Sequence, residues 1–178
     1  RPSISYDLVS IDIGSQPEVD SVPGAREYAT AVKPVAGLWQ RWQALHRKIL
    51  DQASGDSCRI SMVGGGAGSV ELALAMAHRL ADRPVTLDLW FGAPQILQSY
   101  NAGARRAAMA ALARHSVEVH LKARVAQVEQ TCLVLENGQR RDYDELFWCT
   151  GAAAAPWIAA SGLATDELGF LAVRDTLQ

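Results

Sequence analysis

The stretch Cys58–Ala73, CRISMVGGGAGSVELA, limits what this chain can fold into more than any other segment. A short apolar run, Arg59 to Val63, breaks into four glycines within five residues and then opens into an Ala/Leu-rich helix over Val70 to Leu80. A strand, a glycine turn and a helix in that order form the arrangement that holds a dinucleotide pyrophosphate. Gly64 permits the tight turn, and Gly66 lets the backbone approach the phosphates with no side chain in the way. Gly65, Ala67 and Gly68 keep the turn small. The helix N-terminus adds free N–H groups and the positive end of its dipole. The third glycine of G-x-G-x-x-G is Ser69 here, small enough to keep the helix close to the strand at some loss of fit. The competing reading is a glycine-rich strand-to-helix turn that holds no ligand.

Around that turn the periodicity is regular. Strand Val85 to Leu89 follows the Asp82-Arg83-Pro84 turn, a second helix is expected over Ala102 to His115, and strand Val117 to Leu121 comes directly after it. This βαβαβ order implies a parallel sheet with right-handed crossovers. The next section is different. Arg124 to Val128 and Leu133 to Leu135 alternate as short strands, and Asn137-Gly138 is a hairpin turn signal. A run from Glu145 to Cys149 then leads into Thr150-Gly151. The fold class expected is therefore α/β: a Rossmann-like, three-layer dinucleotide-binding domain with a parallel sheet and an inserted antiparallel β-meander. Upstream, Tyr6 to Ile13 reads as a β-rich run, and Gln16 to Pro34 is broken by prolines. Val35 to Leu50 places Val35, Leu38, Trp39, Trp42, Leu45 and Ile49 at helical spacing. Its other face, Gln40, Arg41, Gln43, Arg47 and Lys48, should be solvated. Trp39 and Trp42 suit core or interdomain packing better than base stacking. Asp51 to Ser57 is a polar loop.

Composition narrows the function classes. The 178 residues carry a net charge of −2, so there is no basic block to attract nucleic acid or an anionic membrane. No apolar run is long enough to span a bilayer, and no signal peptide follows Arg1, so a cytoplasmic protein or a piece of a longer chain is expected. Cys58, Cys132 and Cys149 are far apart, without metal spacing, and read as buried small residues in a reducing compartment. His46, His78, His115 and His120 have no carboxylate or cysteine at metal or triad spacing and read as structural or surface residues. No metal ligand, nucleophile elbow or catalytic carboxylate pair is expected.

With these elements placed, the chain resembles the FAD-dependent pyridine nucleotide-disulfide oxidoreductase superfamily, and within it the type II NADH dehydrogenases. Tyr6-Asp7-Leu8-Val9-Ser10-Ile11-Asp12-Ile13-Gly14-Ser15 is similar to the first segment joining the two domains of that family. Trp148-Cys149-Thr150-Gly151 is similar to the second, and Val63-Gly64-Gly65-Gly66 with Val70-Glu71-Leu72-Ala73 to the nucleotide signature. The tail Gly169 to Gln178 resembles the strand returning to the FAD domain. Segments at Pro23-Gly24-Ala25-Arg26-Glu27, at Val32-Lys33-Pro34-Val35 and from Pro156 to Phe170 resemble members fused to selenide, water dikinase.

The resemblance implies an NAD(H)-binding domain inserted in an FAD domain. Residues 1–15 would be the crossing strand, 16–55 a linker and amphipathic helix, 56–151 the NAD(H)-binding domain, and 152–178 the crossing back. The FAD pyrophosphate motif is missing, so the FAD site would lie largely outside this chain, which alone should hold no flavin. NADH and the FAD domain of the parent chain are the partners implied, with self-association through the terminal segments. The parent would be cytoplasmic or peripheral at the inner face of a membrane.

The resemblance implies site roles too. Gly64, Gly65, Gly66, Ala67, Gly68 and Ser69 would carry the pyrophosphate, and Thr150 and Gly151 would line the nicotinamide side. Glu71 would lie near the nicotinamide ribose or carboxamide; read alone, it is a first-turn acid complementing the helix dipole, and Thr150-Gly151 a strand-ending turn. The adenosine end departs from the family, where an acid ends the second strand and accepts from the ribose hydroxyls. Leu89 stands at that position and Asp88 is one residue early on the opposite face, although a one-residue shift of the strand end would bring Asp88 to the ribose; no Arg or Lys follows to take a 2′-phosphate. NADH is therefore expected over NADPH. The implied activity is hydride transfer from NADH to flavin and on to an acceptor such as a quinone. Two alternatives stay open: a regulatory or structural domain with a degenerate nucleotide site, and a disulfide reductase of the same superfamily.

Overall fold

A computed structural model describes residues 3–51 and 57–176. The expected Asp51–Ser57 loop falls mostly outside them, as do the outermost residues of both terminal segments. The elements in chain order are β1 (Gln16–Pro17), α1 (Ala25–Tyr28), β2 (Thr30–Ala31), α2 (Val35–Asp51), β3 (Cys58–Val63), α3 (Ala67–Arg79), β4 (Val85–Phe91) and α4 (Ala102–Arg114). These are followed by β5 (Val117–Leu121), β6 (Val125–Val128), β7 (Cys132–Leu135), β8 (Arg140–Asp142), β9 (Glu145–Trp148), β10 (Ala152–Ala153) and α5 (Pro156–Ala160).

Five parallel strands form the central sheet in the order β2-β9-β3-β4-β5. Both crossovers, through α3 and α4, put their helices on one face. There Ile60, Met62, Leu87, Leu89, Val117 and Phe147 meet Leu45 and Ile49 of α2, Val70, Ala73 and Met76 of α3, and Leu112 of α4. The other face carries Val63, Trp90, Leu146 and Trp148 under the antiparallel meander β6-β7-β8, whose Val125, Val128, Leu133 and Leu135 close a second core. The strands thus bury both faces, as parallel sheets do. The expected three-layer α/β fold with an inserted meander is the one found. Asn137-Gly138 makes the hairpin between β7 and β8, with Gly138 at φ 79° and the Asn137 side chain accepting from the Gln139 N–H. Among the described residues no helix is long and apolar enough to cross a membrane.

Two expectations change. Tyr6 to Ile13 is not a strand: the segment joins no ladder, and Tyr6, Leu8, Val9 and Ile13 are exposed. A strand without a ladder leaves its backbone groups to water. Only Gln16–Pro17 pairs, antiparallel to Ala152–Ala153. On α2, Trp42 packs against the core and stacks on His46, whereas Trp39 is exposed.

Arg41, expected to be solvated, forms a two-pronged ion pair with Glu145, its Nε donating to Oε2 at 2.8 Å. Glu145 opens β9 on the helix side, where only 5% of its side chain is exposed, so its charge requires a partner. The half-exposed Arg41 reaches across from α2 to supply it. Arg41→Met should leave that carboxylate buried and unpaired, costing about 2–3 kcal/mol after discounting for the arginine's exposure. Arg41→Met with Glu145→Gln should recover part of the loss. Urea unfolding of the wild type and the two variants checks this, and equal midpoints for all would contradict it.

Candidate nucleotide-binding cleft

Strands β3 and β9 lie side by side, but the chain leaves them in different directions. From β3 it turns into α3 on the helix side; beyond β9 it runs towards β10. The Cys149 N–H to the Val63 carbonyl at 2.8 Å is the last bond between them. Past it the strand ends open into a crevice, the place where open α/β sheets bind ligands. A cavity of about 580 Å³ fills this crevice, with Gly64, Gly65 and Gly66 on one side and Thr150 and Gly151 on the other. Phe91, Gly92, Gln98 and Arg124 line its far end.

The glycines have distinct jobs. Gly64 has φ +137°, and a Cβ there would sit 2.4 Å from the Cys149 carbonyl oxygen. A Cβ on Gly65 would lie 2.4 Å from the Phe91 ring. Both glycines are buried and required by packing. Gly66 is different: it is exposed, lines the cavity, and a Cβ on it would meet nothing within 4 Å. It also caps α3, accepting from the Val70 N–H at 3.3 Å. The helix therefore starts at Ala67, three residues earlier than expected. Glu71, expected in the first turn, sits in the second as an exposed residue, too far along for the dipole role, and does not line the cavity.

Ala67 and Gly68 start the helix outside the cavity lining. Ser69 is buried, its hydroxyl donating to the Gly66 carbonyl at 2.8 Å. It supports the turn from behind. Across the crevice, the Glu18 carbonyl accepts from Thr150 Oγ1 at 3.1 Å and from Trp148 Nε1 at 2.9 Å. Thr150 is thus held in place while Gly151 stays exposed. All three cysteines are free thiols. Burial pushes Cys149, beside the glycine turn, up to about 12, so it is a neutral thiol and not a nucleophile at physiological pH.

The adenosine end differs from expectation. Strand β4 runs on through Trp90 to Phe91, since aromatic residues extend a strand readily. Leu89 is therefore mid-strand and fully buried under the helices, and cannot be the residue facing a ribose. Phe91, two residues on and on the same face, occupies the strand end, with its ring on Gly65. Asp88 lies on the opposite face, its Oδ1 2.8 Å from His120 Nε2. It is no ribose ligand, and His120 has the carboxylate partner that local spacing did not reveal, because that partner lies on the neighbouring strand. Arg124, from the loop after β5, brings a guanidinium to the cavity and pairs with Glu136 at 3.3 Å.

The fold and the switch-point cleft define a Rossmann-type nucleotide-binding domain. More particularly, residues 2–178 match the pyridine nucleotide-disulphide oxidoreductase family, and the chain belongs to it. It is 27% identical over 179 residues to demethylphylloquinone reductase NdbB of Synechocystis, covering 99% of this chain and 44% of that protein. It is 29% identical over 137 residues to the alternative NAD(P)H-ubiquinone oxidoreductase C1 of Arabidopsis thaliana, covering 75% of this chain and 26% of the relative. The chain thus spans less than half the length of either. Among solved structures, reduced CoADR-RHD of Bacillus anthracis superposes with a TM-score of 0.71 at 20% identity, over 93% of this chain and 29% of that one. NDH2 of Plasmodium falciparum in complex with NADH gives 0.71 at 16% identity, over 83% and 35%.

Three outcomes are expected. Phe91→Asp should tighten NADH binding about tenfold by supplying acceptors for ribose hydroxyls, charge-assisted bonds being worth about 1.5–3 kcal/mol before desolvation; calorimetric titration checks it. Leu89→Glu should instead destabilise the fold, since it buries a charge under the helices. Cys149 should resist alkylation at pH 8 and react only as the pH climbs towards 12. The neutral thiol's contribution to stability is complete below the ordinary thiol value of 9 and is lost as pH rises through 12. Labelling rates against pH, read by mass spectrometry, test this.

Proposed function

We propose that this chain is the NAD(H)-binding portion of an FAD-dependent oxidoreductase that passes a hydride from NADH to flavin and then electrons to an acceptor such as a quinone. The observation that carries the reading is the switch-point cleft, with an open glycine helix cap on one wall and Thr150-Gly151 on the other. Family membership and the quinone reductases among its relatives support it. At the pyrophosphate end the residues fit a dinucleotide: Gly66 leaves room for the phosphate against the backbone, and the start of α3 offers its N–H groups and dipole. The cofactors supply the redox chemistry. The chain's own part is positional. Thr150, fixed through the Glu18 carbonyl, and the side-chain-free Gly151 shape the wall where a nicotinamide would lie. No second glycine-rich strand–turn–helix occurs in the sequence, so the flavin pyrophosphate would be held by residues outside these 178. The exposed apolar side chains of the terminal segments, Ile4, Leu8, Val9, Leu168 and Val173, suit burial against such a domain.

A second reading rests on one observation: Phe91 occupies the ribose-acid position. A cleft lacking that acceptor would suit a regulatory or structural domain in which nucleotide turnover has been lost. NADH titration separates the two. Under the oxidoreductase reading wild type binds NADH, and Gly66→Val abolishes binding with little loss of stability, since its added side chain enters the cleft and not the core. Wild type failing to bind, or Gly66→Val binding equally well, would overturn the assignment. Gly65→Val is the contrasting control, expected to unfold through its clash with Phe91.

A further inference from the structure

On the meander side of the sheet, away from the glycine turn, a second cavity of about 230 Å³ is floored by Thr86, Asp88, Trp90, Glu118 and His120. We propose that Asp88, Glu118 and His120 bind a first-row divalent metal ion of the zinc type. The parallel register places Asp88 directly opposite Glu118 on β5, and His120 lies two residues further along the same face. One ligand atom from each falls within 4.8 Å of the other two. Ligands of a tetrahedral ion at about 2.1 Å lie about 3.4 Å apart, so the set closes once the Glu118 side chain rotates inward. Glu118, with 71% of its side chain exposed, is free to make it.

Charge favours an occupant. Two carboxylates facing one another across adjacent strands repel. Asp88 keeps only 10% of its side chain exposed, and among the described residues its side-chain partner is His120, with no Arg or Lys pairing with it. Arg59, Arg141 and Asp142 form the opposite wall of the cavity. Arg59 donates from Nη1 to the Asp142 carbonyl, and Arg141 to the Arg140 carbonyl and Gln139 Oε1. Among the described residues neither arginine forms an ion pair with Asp88 or Glu118.

The imidazole is also oriented in advance. Its ring stacks on Trp90 at 3.8 Å and 9°, and Trp90 is fixed by its Nε1–H donating to Ser61 Oγ at 3.2 Å. Such outer support aims Nε2 at the carboxylates, as metal ligands require. One nitrogen and two oxygens suit Zn²⁺ or Co²⁺ better than Mg²⁺. The cavity leaves room for water to complete the coordination.

The experiment is a Zn²⁺ titration of the chain at pH 7.5, with melting followed in parallel and Co²⁺ absorption as a spectroscopic probe. One equivalent of Zn²⁺ should raise Tm, and Co²⁺ should give ligand-field bands without a thiolate charge-transfer band. Glu118→Gln, at an exposed position that leaves folding intact, and His120→Asn should each lower Zn²⁺ affinity by about tenfold or more. No rise in Tm for wild type would overturn the proposal and leave a His120–Asp88 hydrogen bond. Equal affinity in wild type and both variants, or a thiolate band, would do the same by placing the metal elsewhere.

Discussion

Everything that makes the cleft depends on one pairing, that of β9 with β3. Phe147 lies beside Met62 and Trp148 beside Val63, and the Cys149 N–H adds the bond that ends the ladder. The partners are more than eighty residues apart, with α3, α4 and the meander lying between them in the chain. Loop closure over that length costs entropy that the buried residues on both faces must offset. Its result is geometric: with β4 on one side of β3 and β9 on the other, the chain leaves the strand ends in different directions and the crevice opens between them.

The parts of the fold legible in the sequence are those whose signals are local. The glycine turn, the Asn137-Gly138 hairpin, the two crossover helices and the amphipathic Val35 helix all appear close to where periodicity put them. Errors arose where a distant partner decides the outcome. Tyr6 to Ile13 has strand composition but no strand to join. Arg41 sits on the polar face of α2 yet serves Glu145 from the far end of the chain. Neither fact is written in the neighbouring residues.

The site was legible in the same uneven way. Gly64, Gly65, Gly66, Thr150 and Gly151 meet around one cavity, whereas Glu71 and Ser69 stand back from it. The adenosine end was misjudged by the length of one strand. Two aromatic residues carried β4 past Leu89, so the position that faces the cleft fell to Phe91. Asp88 and His120 met because parallel register set their strands side by side, a relation that spacing along the chain does not encode.

Glu18 fastens the domain using only its main chain. Its carbonyl receives the Trp148 indole and the Thr150 hydroxyl, and its N–H donates to the Gly151 carbonyl at 3.1 Å. One peptide position therefore ties the segment entering the domain to the segment leaving it, beside the short β1–β10 ladder. A pulling force applied to the two ends would load these few bonds in shear before it reached the central sheet. Because no side-chain atom of residue 18 takes part, the clasp tolerates any residue there that keeps its amide proton. Proline alone would undo it.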